Sequence, residues 1–107
     1  MIDPDKIYEA VVKAGSDWAD KKAAFELLDD MTATVKADLT TDFYVSCSSK
    51  AEAEQRALSS DRYKEHIASL SGARRDWLHA EVKYKSAQLL AELRRSEESS
   101  RRAEMRL

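Results

Sequence analysis

The chain has 107 residues, 43% hydrophobic and 36% charged, with a formal net charge of −2, two glycines, one proline and one cysteine. That is one domain's worth of polypeptide, and so few glycines and prolines exclude a turn-rich β fold and point to long helices with few connections. The apolar share, with two Trp and four Tyr, excludes a wholly disordered chain, and no apolar run reaches the ~18 residues of a membrane span.

A lone Cys47 cannot close an internal disulfide, which fits a reducing compartment. The opening Met1-Ile2-Asp3-Pro4-Asp5 lacks the basic and apolar regions of a signal peptide, so the cytoplasm is the expected location. Charge is unevenly divided: residues 1–42 hold ten acids and five bases, and residues 43–107 hold ten acids and thirteen bases. Such a division steers one half against the other or leaves a mildly basic surface.

The first helix is expected over about 4–40. Asp3 is a good N-cap, Pro4 suits the first turn, and Asp5 adds negative charge at the positive end of the dipole. Ile7, Val11, Ala14, Trp18, Phe25, Leu28, Val35 and Leu39 recur at alternating spacings of three and four, with Lys21 and Thr32 at the two remaining positions. That 3.5-residue repeat is the signature of a supercoiled seam. Gly15 costs about 1 kcal/mol inside a helix, and its place beside Ala14 and Trp18 implies room for a neighbour's ring.

A connection is expected over 41–49, with Phe43, Tyr44 and Val45 closing the end of the core. Ser49-Lys50-Ala51-Glu52 reads as a capping box, in which Ser49 and Glu52 satisfy each other's backbone amides. A second helix then runs from Lys50 to about Met105. Tyr63, Ile67, Leu70, Trp77 and Tyr84 form one stripe, and Leu78, Val82, Leu89 and Leu93 an adjacent one. The combined face is wider than a two-stranded seam requires, as expected of a helix with more than one neighbour. A kink or break would fall at Ser71-Gly72, although the compatible phase of 73–93 favours a continuous helix.

The expected architecture is all-α: two long helices in a coiled-coil-like hairpin forming a single domain. Such a hairpin leaves much of the second helix uncovered and has a thin core, so pairing into a homodimeric four-helix bundle is expected.

Motifs for catalysis are absent. His66 and His79 share no metal-ligand spacing with Cys47 or a carboxylate, Cys47 lacks the cationic neighbours that activate a thiol, and neither a phosphate loop nor a nucleophile–base order occurs. No enzyme activity, cofactor, metal or small-molecule substrate is expected. Arg74, Arg75, Lys83, Lys85, Arg94, Arg95, Arg101 and Arg102 could track phosphates or a protein partner, with Tyr84 stacking on an unpaired base. Glu81, Glu92, Glu97, Glu98 and Glu104 are interleaved among them and would repel the same backbone.

The ending Arg94-Arg95-Ser96-Glu97-Glu98-Ser99, followed by Arg101-Arg102-Ala103-Glu104-Met105, resembles that of small bacteriophage proteins known chiefly as coil-containing. Residues 50–105, with Tyr63-Lys64-Glu65-His66, look like the long helix of that group; Gly72 departs from its pattern. The resemblance implies an accessory role in phage replication or recombination, or inhibition of a host or defence factor. It carries over no functional residues. Two expectations follow: a helical protein that binds a protein partner, or a nucleic-acid-binding recombination mediator using the basic residues of the second helix.

Overall fold

A computed structural model describes residues 3–106; Met1 and Ile2, read above for a signal peptide, lie outside them. The architecture is all-α, with three helices: α1 (Pro4–Tyr44), α2 (Lys50–Ser59) and α3 (Asp61–Arg106). α1 starts as its sequence dictates. The Asp3 carboxylate accepts the amide of Asp5 at 3.0 Å, and Pro4 occupies the first turn, where no amide is needed.

The expected continuous second helix is broken, and the break falls at Ser60 rather than Gly72. Ser60 turns to an extended conformation with ψ 150°. Its hydroxyl donates to the Ala57 carbonyl at 2.7 Å and accepts the Tyr63 amide at 3.2 Å, closing α2 and opening α3 with one side chain. Asp61 follows in the first turn, where negative charge is favoured. Gly72 lies inside α3 without a positive φ, so nothing breaks the helix there.

Two further expectations are corrected at the connection. α1 runs on to Tyr44, shortening the connection to residues 45–49, and Val45 is 91% exposed and Tyr44 54%, leaving Phe43 alone to close the core. Only half of the capping box forms as expected. The Glu52 amide donates to the Ser49 hydroxyl at 3.2 Å, but the Glu52 carboxylate accepts from the hydroxyl and amide of Ser48, at 2.7 and 3.1 Å. Ser48 offers two donors to the charged group where Ser49 would offer one.

α1 and α3 run antiparallel. Trp18 stacks on Tyr84 with ring centroids 5.7 Å apart, and one heptad along, Phe25 stacks on Trp77 at 5.3 Å. One heptad further along α1, the Thr32 hydroxyl and His66 Nε2 are hydrogen-bonded at 2.8 Å. Lys21 stays exposed; its neighbour Lys22 is half-buried instead, with Nζ 5.4 Å from the Trp18 ring. The ring expected beside Gly15 is that of Tyr84: a Cβ on Gly15 would come within 2.9 Å of Tyr84 Cε1.

On α3, Tyr63, His66, Leu70, Ala73, Trp77, Ala80, Tyr84, Ala87, Ala91 and Arg94 are among the less exposed residues and recur at spacings of three and four; Gly72 and Glu81 are the others. Ile67 falls outside this seam, and so does the stripe from Leu78 to Leu93. Small alanines between large rings let two helices approach closely.

The molecule measures 85 × 17 × 16 Å, with a radius of gyration of 23.7 Å, where a compact chain of this length would have about 13 Å. α3 alone accounts for about 69 Å at 1.5 Å per residue, and α2 extends the long axis instead of adding a third layer. The result is a rod two helices thick. Among the described residues only Leu39, Ala53, Ala57 and Ala80 are fully buried apolar residues.

Gly15 and Gly72 should respond oppositely to Ala. Open space surrounds Gly72, so Gly72→Ala gains about 1 kcal/mol of helix propensity, whereas Gly15→Ala drives a methyl into Tyr84 and costs about 1–2 kcal/mol. Thermal melts followed by circular dichroism read both, and a Tyr84→Leu background should abolish the penalty at Gly15.

The Ser48 hydroxyl and amide, aided by Arg56, hold the Glu52 carboxyl below the usual glutamate range. A lowered folded pKa contributes stability above the unfolded value, and this is lost as pH falls through the folded one. Glu52→Gln should therefore melt below the parent protein at neutral pH, with the gap closing in acid. A gap that does not change with pH would contradict this cap.

Candidate functional site

The nine basic and aromatic residues singled out from the sequence are not gathered on one surface. At about 100° per residue, Arg74 and Lys85 share one side of α3 and Arg75 takes a second. Lys83, Arg94 and Arg101 share a third, and Arg95 and Arg102 a fourth. Lys85 pairs with Glu81 at 3.3 Å. Tyr84 is half-buried in the seam, its ring engaged by Trp18 and closed in by Gly15, so the stacking expected with a base is taken up within the fold. Arg94 is half-buried as well. It borders, with Arg95, a furrow of about 370 Å³ between the start of α1 and the last third of α3. Glu92 and Glu98 share that furrow, alongside the ring of Tyr8. Arg74, Arg75, Lys83, Arg101 and Arg102 are exposed.

His66 is tied to Thr32 and Cys47 is a half-buried free thiol. Among the described residues no group of three or more His, Cys, Asp or Glu side chains could hold a metal ion, and no helix is long and apolar enough to cross a membrane.

What α3 does gather is apolar. Leu78, Val82, Leu89 and Leu93 are 44, 65, 60 and 61% exposed, and at helical spacing they fall within about 60° of arc. The inward seam of α3 centres on the opposite side, so α1 covers none of this stripe. The wide apolar face read from the sequence is thus two faces: an inner one of aromatics and alanines that meets α1, and an outer one of Leu and Val that meets nothing within the chain. Leu78 with Val82 and Leu89 with Leu93 form two exposed i, i+4 apolar pairs on one side of the helix, with Lys85 and Ser86 between them.

Residue type found the basic candidates, but only helical phase shows that they diverge. Tyr8 on α1, 70% exposed and lining the furrow, and Val12, 53% exposed in a separate hollow that Tyr8 also borders, were missed by the sequence reading. Their signal was their position just outside the seam. Compared with known proteins, the chain matches no family model, no curated protein and no solved structure.

Proposed function

We propose that the protein is a non-enzymatic helical interaction protein that acts by binding another protein chain, as a homodimer in the bacterial cytoplasm. Its setting is the one implied by the charged ending: a phage accessory in replication or recombination, or an inhibitor that occludes a host or defence factor. The observation that carries this reading is the exposed row Leu78, Val82, Leu89 and Leu93 on a helix whose other face is already used. These side chains are 44–65% exposed, so completing their burial releases roughly half of the ~1.5–3 kcal/mol of a full transfer each, a contribution that supports a protein interface. A long rigid rod supports the same role, since it offers an extended surface and only shallow hollows.

The alternative, a nucleic-acid-binding recombination mediator, draws less support. Its arginines and lysines diverge around α3 among acids, and Tyr84 is occupied by Trp18.

The experiment is capture from infected bacterial lysate by the full chain and by the Val82→Glu, Leu89→Glu double variant, whose exposed positions leave the helix content unchanged. A protein retained by the parent and lost by the variant is the expected result. Identical capture by both would remove the outer face of α3 from the account. Retention of nucleic acid, lost on Arg101→Glu with Arg102→Glu and steeply weakened by salt, would favour the alternative.

A further inference from the structure

The outer row of α3 reads the same in both directions. Leu78 and Leu93 are equally far from the midpoint between Lys85 and Ser86, and so are Val82 and Leu89. In helix-packing terms the face carries two ridges of i, i+4 residues: Leu78–Val82–Ser86 and Lys85–Leu89–Leu93. Reversing the chain about that midpoint turns one ridge into the other.

This is the property a two-fold contact demands. In an isologous interface one surface meets itself, so whatever touches residue j from residue i is repeated from j to i. We infer that the protein chain seated on this face is a second copy, packed through α3 against α3 in antiparallel sense, with the two-fold axis passing between Lys85 and Ser86. Leu78 then meets Leu93 of the other copy, and Val82 meets Leu89. The inference rests on the reading of this face as a protein-binding surface, and adds its occupant and register.

Three further features agree. The i, i+4 ridges of two such faces interdigitate when the helices cross obliquely, at about −50°, and the drift of the row around the helix calls for an oblique crossing. On the same flank, Arg75 comes level with Ser96 of the other copy, one residue short of Glu97, close enough for an opposite-charge pair formed twice. Lys85, closest to the axis, is already compensated by Glu81 at 3.3 Å. The rod as a whole exposes 8353 Å² where a compact monomer of 12.1 kDa exposes about 6,000 Å², so the fold leaves surface that a partner could cover. Because the row lies opposite the seam, the assembly would be two rods crossed back to back, with both copies of α1 on the outside.

The test combines mass and cross-linking on the full chain. By light scattering after gel filtration the parent should have twice the chain mass, and Val82→Glu with Leu89→Glu should halve it while circular dichroism stays unchanged. With Cys47 replaced by Ser, a cysteine at Ser86 should meet its own copy across the axis and oxidise to a covalent dimer, whereas one at Ser16 on α1 should not. A dimer that survives both glutamates, or cross-links at Ser16 and not at Ser86, overturns this register. A monomeric parent that captures a different protein through the same residues overturns self-pairing but leaves the protein-binding reading standing. A monomer that captures nothing removes both.

Discussion

Two stacked aromatic pairs hold the rod together. A seam between only two helices surrounds few side chains, Leu39 and three alanines among the described residues, so much of its contact comes from groups large enough to bury part of themselves by lying flat against one another. Trp18 on Tyr84 and Phe25 on Trp77 do this one heptad apart, and each fixes the other's register. Shifting α3 by one residue would turn Tyr84 and Trp77 out of the seam and bring exposed, polar positions in. The bare backbone at Gly15 follows from this packing, since Tyr84 needs the space a Cβ would take. The Thr32–His66 hydrogen bond adds a polar pair to the same seam, about one turn out of step with the two aromatic layers.

The same constraint leaves the molecule unfinished on one side. With α2 lying end to end with α3, no third layer exists, and the outer row of α3 is as apolar as the row that packs. The inner seam uses alanines where helices must come close; the outer row uses leucine and valine, which only gain from being covered. On α3 the small residues face α1 and the large aliphatic ones of the outer row stay exposed, which is why the proposed protein contact is placed on that row.

The helix-one seam was legible because most of its members from Ile7 to Leu39 are large and recur at spacings of three and four, interrupted at Lys21, which stays exposed, and at Thr32. The α3 seam was legible in part: Tyr63, Leu70, Trp77 and Tyr84 fall on one stripe by their spacing and do face α1, whereas Ile67, on the same stripe, does not. Ala73, Ala80, Ala87 and Ala91, which complete the seam, give a weak hydrophobic signal beside Leu78, Val82, Leu89 and Leu93. The break at Ser60 was hidden by its neighbours: Ser59-Ser60-Asp61 is tolerable helix sequence until the hydroxyl of Ser60 is seen to serve two helix ends at once. Gly72, the residue that looked like a hinge, is an ordinary helical position. The basic residues were legible as a composition and not as a surface, since their divergence depends on phase over nearly thirty residues.

The most direct test of the account is native-state hydrogen exchange resolved along the chain. If the aromatic layers organise the rod, the slowest amides lie around 18–32 in α1 and 66–84 in α3, with faster exchange in α2 and in the last two turns of α3. Slowest exchange in α2 or at the charged end, or protection spread evenly along α3, would contradict it.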